Sequence, residues 1–154
     1  MEVKIRTATM KDLSSILPLY KYLGMDDGGV LTLKDAKKIF IKMKRYPDYK
    51  LYIVRMDKEI VGTFALLIMD NIGHAGVPSG IVENVVVHPD YRRKSVGRRM
   101  MEFAMDYCRK KGCYKMALSS NLNRNDAHRF YESLGFKKHG YSFLTALAGG
   151  QQCR

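Results

Sequence analysis

The sequence predicts a mixed α/β (α+β) single domain, one central sheet covered by helices, and three observations lead there. The hydrophobic period changes along the chain, from alternation at Val3 and Ile5, to helical spacing up to Met43, to strand-like runs between Leu51 and Val87, and back to helical spacing after Ser95. Helices separate some of the strands, which implies a parallel part of the sheet, while the short turn Asp57-Lys58-Glu59 implies an antiparallel part. The chain has 154 residues, 46% of them hydrophobic, which makes one domain with a real core rather than a disordered or fibrous chain.

Glu2 to Thr7 alternates and reads as a first strand. Thr9 with Asp12 starts a helix carrying Leu13, Ile16, Leu17 and Tyr20, with Pro18 expected to kink it. Gly24 to Val30 is a loop, and Thr32 caps a second helix with Ala36, Ile39, Phe40 and Met43 on its apolar face, ended by Pro47. Leu51 to Arg55 and Ile60 to Met69 form a hairpin whose second strand, apolar on both faces, belongs inside the sheet. Ile81 to Val87 is a further strand stopped by His88-Pro89. A third helix runs from about Ser95 to Lys111, with Val96, Met100, Phe103, Ala104, Tyr107 and Cys108 inward and Gly112 as its stop. Tyr114 to Ser119 is a strand, Asn125 to Leu134 a fourth helix, and Phe136 onward returns as strand to about Leu147. The expectation is a sheet of six or seven strands and four helices, with residues 1–147 as the domain and 148–154 as a frayed tail.

The longest apolar run, Ile60 to Met69, is half the roughly 20 residues a bilayer span needs. The N-terminus shows no secretory pattern, so a cytoplasmic location is expected, with no membrane partner. Cys108, Cys113 and Cys153 lack metal or redox spacing and read as reduced packing thiols. No metal site is expected among His74, His88, His128 and His139. The net charge is +12, and nine Lys or Arg against two acids between Arg92 and Lys115 place +7 of it in one stretch. A nucleic-acid-binding module is the weaker explanation of that charge, because Glu102 and Asp106 interrupt the basic face of the third helix.

The stretch from Val85-Val86-Val87 through His88-Pro89 to Arg92-Arg93-Lys94-Ser95-Val96-Gly97 takes a strand through a basic loop into a helix. Free N–H groups and the positive helix end then meet at one point, which suits a diphosphate. Gly97 is expected to let the backbone approach that ligand. This loop resembles the acetyl-CoA loop of the GNAT-family N-acetyltransferases, except that Ser95 stands where the first Gly is expected, a change that bears on coenzyme affinity. Arg124-Asn125-Asp126-Ala127-His128-Arg129-Phe130-Tyr131 up to Gly135-Phe136 resembles the same family's fourth-helix signature. The likeness spans nearly the whole chain.

The resemblance implies a GNAT-like fold and transfer of an acetyl group from acetyl-CoA, as co-substrate and without a metal, to a primary amine by direct attack in a ternary complex. It assigns the coenzyme to Val85, Val86, Val87, Arg92, Arg93, Lys94, Ser95, Val96, Gly97, Arg98, Asn125 and Tyr131. Tyr131 is implied as the acid that protonates the thiolate, with a buried helix-face aromatic as the other reading. Glu83, the only acid between Ile81 and Val87, reads as the general base or as a structural or solvent-facing carboxylate. Asn125 contacts the coenzyme or caps the helix, and His128 reads as packing. The acceptor, a small-molecule or peptide amine, is expected between Gly24 to Val30, where Asp26 and Asp27 lie, and Gly140 to Leu144. A catalytically inactive acyl-CoA-binding sensor is the alternative of the same fold, and the oligomeric state is open between monomer and homodimer.

Overall fold

Strand order and chain order coincide in the computed structural model of the protein, which describes residues 2–24, 29–145 and 147. β1 (Val3–Thr7), β2 (Tyr49–Met56), β3 (Glu59–Met69), β4 (Ser79–Val87) and β5 (Met116–Ala117) lie side by side in that order. The first four are antiparallel neighbours, and β5 joins β4 in parallel. α1 (Leu13–Tyr20) and α2 (Leu33–Met43) precede the hairpin, α3 (Val96–Lys110) connects β4 to β5, and α4 (Asn125–Ser133) follows β5. Their sequence reasons hold: Asp12 accepts from the N–H of Thr9 at 2.7 Å and from both guanidinium nitrogens of Arg6 at 2.8 Å, and Thr32 accepts from Asp35 N at 3.1 Å.

The sheet separates two apolar layers. Leu13, Ile16, Leu17, Ala36 and Phe40 of α1 and α2 pack on Leu51, Ile53 and Ala65. On the other face Val96, Met100, Met101, Ala104 and Cys108 of α3 cover Tyr52, Val54, Phe64, Leu66 and Val82, and α4 adds Phe130, Tyr131 and Leu134 at the margin. Val61 to Leu66 of β3 are buried throughout, as expected of a strand covered on both faces. Asp48, bridged to Lys50 and Lys111 at 3.0 Å each and bonded to the Tyr107 hydroxyl, fastens the C-terminal end of α3 to the start of β2. The opposite, N-terminal end of α3 is thereby held at the side of the sheet where β4 ends.

Two expectations need correction. The sheet has five strands among the described residues, not six or seven, because no strand forms after Phe136, and β5 is only Met116–Ala117 where Tyr114 to Ser119 was expected. The alternation beyond Phe136 is real, but a strand exists only through the ladder it joins, and this segment has no strand neighbour among the described residues. Ile39 is exposed rather than on the buried face of α2, where Ala36 and Phe40 carry the contact, while Met101 of α3 is buried without having been expected there. Asp26, Asp27, Cys153 and the tail 148–154 lie outside the described residues.

Candidate active site

The site is organised by an irregularity in β4. Thr63 pairs with Val86 and Ala65 with Glu83, so Phe64 alone faces Asn84 and Val85. This is a β-bulge, and Asn84 takes a left-handed φ of 53° to make it. The bulge keeps Glu83 and Val86 on the α1/α2 side while Val85 and Val87 pack on the α3 side. Pairing with β5 ends at Ile81 and Ala117, so beyond Ile81 one edge of β4 has no strand partner among the described residues. At that free edge the carbonyl of Val87 accepts from Arg92 Nε at 3.3 Å. His88 instead donates to Val61 on β3, so alternation turns the Val87 N–H to the open edge.

Beyond Val87 the chain makes a 3-10 turn, Pro89–Tyr91, and then the tight segment Arg92 to Ser95. Arg93 and Ser95 both have left-handed φ, 61° and 60°. Residues of this kind turn successive N–H groups inward to form a concavity for an anion. Ser95 occupies the N-cap of α3, and with its left-handed backbone its side chain makes no cap bond. The first helical bond runs from Arg99 to Ser95, which leaves the N–H groups of Val96, Gly97 and Arg98 without intrahelical acceptors.

Arg92 and Arg93 are exposed, Lys94 folds back over the Tyr91 ring at 4.9 Å, and Arg98 stands 4.0 Å from Glu102. Arg92 also lines an open cleft of about 550 Å³ with Asn123, Arg124, Asn125 and Arg129 at the start of α4. Asn125 is the first residue of α4, whose N-cap is Arg124, so the expected Asn125 cap does not form and its side chain is left for the cleft. His128 bonds the carbonyl of Asn121 at 2.9 Å and shapes the loop before α4, which is a packing role. Gly97 differs from expectation too: its open side faces the Phe130 ring, not a ligand.

Tyr131 lies half-buried on α4, its ring 5.2 Å from Phe130 and 5.7 Å from Phe136 between centroids. Burial raises its pKa, opposed by the charge of Arg124, so the phenol holds its proton at neutral pH. Its hydroxyl makes no hydrogen bond among the described residues. Glu83 stands on the other face of the sheet, exposed, opposite Ala65. Tyr49 is near enough that, after burial, the Glu83 charge is the next cause of that phenol's raised pKa. Tyr20, pushed up to about 12 by burial and by Tyr49, completes a tyrosine-lined wall, and Tyr22 sets its ring edge-on to His88 at 5.3 Å.

The fold therefore brings Glu83, Val85, Val86, Val87, the Arg92–Arg98 turn, Asn125 and Tyr131 around one open strand edge. Sequence reading missed Asn123, Arg124, Tyr20 and Tyr49 as members of this neighbourhood. Arg124 opens the fourth-helix motif, so a signal existed for it; Tyr20 looked like part of the apolar face of the first helix, and Tyr49 lies just outside the strand read from Leu51 to Arg55. The donor set fits acetyl-CoA: an unpaired strand edge for an amide-bearing arm, free helix N–H groups and arginines for a diphosphate, and a half-buried phenol on the α3 side of the same strand. Among the described residues no cluster of three or more His, Cys, Asp or Glu is placed to hold a metal, and no helix is long and apolar enough to cross a membrane.

A sheet open at one edge, with a basic turn and a helix start below it, is an arrangement that can take an extended amide-bearing arm and a diphosphate. The model of the acetyltransferase (GNAT) family matches residues 16–136, and the chain belongs to that family. It is 28% identical over 144 residues to the aminoalkylphosphonate N-acetyltransferase of Salmonella typhimurium, covering 94% of this chain and 91% of that protein. It is also 28% identical over 146 residues to the glucosamine 6-phosphate N-acetyltransferase of Trypanosoma brucei brucei, covering 90% and 92%. A solved acetyltransferase structure from Agrobacterium tumefaciens str. C58 superimposes with a TM-score of 0.86 at 30% identity, covering 94% of this chain and 99% of the other.

Proposed function

We propose that the protein transfers the acetyl group of acetyl-CoA to a small primary amine by direct attack in a ternary complex. The observation that carries this reading is the open edge of β4 with Glu83 on one face and Tyr131 on the other. Acetyl-CoA supplies a thioester, whose carbonyl is the electrophile. The Val85 backbone N–H, at the bulge, is the donor for negative charge developing on the acyl oxygen. Val87 and its neighbours pair with the extended arm, and Arg92, Arg93, Lys94, Arg98 and the N–H groups of Ser95, Val96 and Gly97 hold the phosphates. Glu83 takes a proton from the incoming ammonium, directly or through water, and Tyr131 gives one to the departing thiolate.

The acceptor we favour carries a phosphate or phosphonate near its amine. Two relatives that match nearly end to end are named for such substrates, and the chain's strong positive charge attracts them. The test is calorimetry with acetyl-CoA, then thiol release with paired amines that differ only in the phosphate or phosphonate. Saturable turnover, higher for the phosphorylated member of each pair, is expected. Tight coenzyme binding without turnover on any amine would instead identify an acyl-CoA sensor, and turnover that ignores the phosphate would remove the acceptor assignment alone.

A further inference from the structure

A second irregularity in the sheet lies at the β2–β3 hairpin, away from the bulge in β4. Val54 pairs with Gly62 and Arg55 with Ile60, so Val61 is the extra residue of another bulge. Val54 and Val61 pack on the α3 side, while Ile60, and Arg55 opposite it, face the α1/α2 layer. There an open cleft of about 540 Å³ separates Arg55, Lys58, Glu59 and Ile60 of the hairpin from Arg6, Asp12 and Ser15. The two acids of that lining already have partners: Asp12 accepts from Arg6 and Thr9, and Glu59 accepts from the Tyr91 hydroxyl at 2.6 Å. The cations do not. Arg55 makes one hydrogen bond, from Nη2 to the Lys58 carbonyl at 3.2 Å, and its enclosed Nε has no partner among the described residues. The Lys58 ammonium is exposed, and neither it nor the Ser15 hydroxyl makes an ion pair or hydrogen bond among the described residues. A guanidinium with an unused, enclosed donor is a polar group in deficit.

We infer that this cleft binds a small phosphorylated molecule, its phosphate held by Arg55, Lys58 and Ser15. A guanidinium matches phosphate oxygens as a planar fork, and an ammonium adds a mobile point charge beside it. The cleft volume falls within the roughly 300–1,000 Å³ of small-molecule sites and exceeds what a bare phosphate fills, so the ligand carries an organic body, for which Ile60 is the apolar wall. The site is separate from those on β4 and α4. It shares no lining residue with the Arg92–Arg98 turn or with the cleft at the start of α4. Ile60 and Ala65, the strand partners of Arg55 and Glu83, are five residues apart on β3, which sets the cleft about 15 Å along the strand from Glu83. A short phosphorylated amine placed at Glu83 does not span that distance. The ligand is therefore additional to both coenzyme and acceptor, and the inference stands whichever amine is acetylated.

The test is nuclear magnetic resonance of the isotope-labelled full chain, titrated with inorganic pyrophosphate as the probe at low ionic strength. Amide shifts are read residue by residue, so pyrophosphate that settles on Val96 to Arg98 is seen separately from pyrophosphate in the cleft. Saturable shifts are expected at Ser15, Arg55, Lys58 and Glu59, with a Kd on the order of 1 mM or tighter that weakens as salt is added. Lys58→Glu alters an exposed side chain that makes no bond and keeps the carbonyl that Arg55 uses. It is expected to weaken binding at the cleft by about tenfold or more while any shifts at Val96 to Arg98 persist. Cleft amides that do not shift, or that shift linearly without saturating, overturn the inference, since the anion then responds to overall charge alone. Saturable shifts that Lys58→Glu leaves unchanged overturn it as well, and the wild-type titration decides the matter should the variant fail to fold.

Discussion

Phe130 closes onto Gly97: its ring Cζ lies 3.1 Å from the point where a Cβ on Gly97 would stand. Gly97 belongs to the Arg92–Arg98 turn and Phe130 to the helix that carries Tyr131, so this contact sets how closely the turn and α4 approach. The glycine serves helix-on-helix approach. A side chain there meets an aromatic ring.

Gly97→Val is therefore expected to push α4 outward, at a cost of about 1–3 kcal/mol in stability from overpacking. If Tyr131 is the acid proposed above, its displacement should lower kcat about tenfold or more, because small misplacements of a catalytic group are costly. Phe130→Ala in the same chain vacates the space and should recover part of the lost activity. Urea midpoints and steady-state rates on the two single variants and the double variant check this, and strict additivity of the two changes would show that the contact carries no coupling.

Tyr131→Phe removes only a hydroxyl that has no protein partner, so stability is expected to change little. If the phenol protonates the thiolate, kcat should fall by about 10²–10³ while coenzyme affinity stays within about twofold. Because burial raises its pKa above the ordinary phenol value near 10, wild-type kcat should hold through neutral pH and fall only at more alkaline pH, as the acid loses its proton. The pH profiles of kcat for the two enzymes are the measurement: the alkaline limb belonging to Tyr131 should be absent in the Phe variant. Equal kcat values would leave Tyr131 as a packing residue.

The legible parts of the fold were those with local causes. Thr32 declared its helix start through a bond to the third residue on, and Gly112 and Gly135 stopped theirs with φ of 73° and 88°. The two site motifs were legible because they are contiguous in sequence. The bulge at Asn84 was not, since it depends on register against Thr63 and Ala65, which no period in β4 alone records. Nor was the role of Gly97, whose partner Phe130 is remote in sequence, or the grouping of Tyr20 and Tyr49 beside Glu83. The missing strands after α4 failed for the same reason, because a ladder needs a neighbour that the pattern does not name.

Ser95 holds φ 60° and ψ 8° without a cap bond to compensate it. For a residue with a Cβ the left-handed region costs about 1–2 kcal/mol, and glycine avoids that at the expense of a more flexible unfolded chain, about 0.4–1 kcal/mol. Ser95→Gly is expected to stabilise the fold by about 0.5–1 kcal/mol, which for this length corresponds to a rise in Tm of a few degrees. It should also tighten acetyl-CoA binding, since the hydroxyl no longer crowds the turn. A scanning melt and a calorimetric titration separate the effects, and a lower Tm would mean that the serine makes a contact worth more than its strain.

Asp12 is 8% exposed and receives four hydrogen bonds, two from Arg6 and two from Thr9. The Arg6 hydrogen bonds are the largest cause holding its carboxyl well below the usual carboxylate range, and burial opposes them. In the unfolded chain the group titrates near 3.9. The stabilisation is therefore complete above about pH 5 and is lost as the pH falls below 4 toward the low native value, where folding no longer excludes the proton. Charged hydrogen bonds contribute about 1.5–3 kcal/mol, but Arg6 is nearly half exposed, so solvent screening reduces the expected cost of Asp12→Asn to about 1–2 kcal/mol at pH 7. Urea unfolding of both proteins from pH 7 to pH 2.5 should show a constant gap down to about pH 5 that closes in acid. A gap that persists undiminished at pH 2.5 would place the Asp12 contribution in packing or neutral hydrogen bonds and not in its charge.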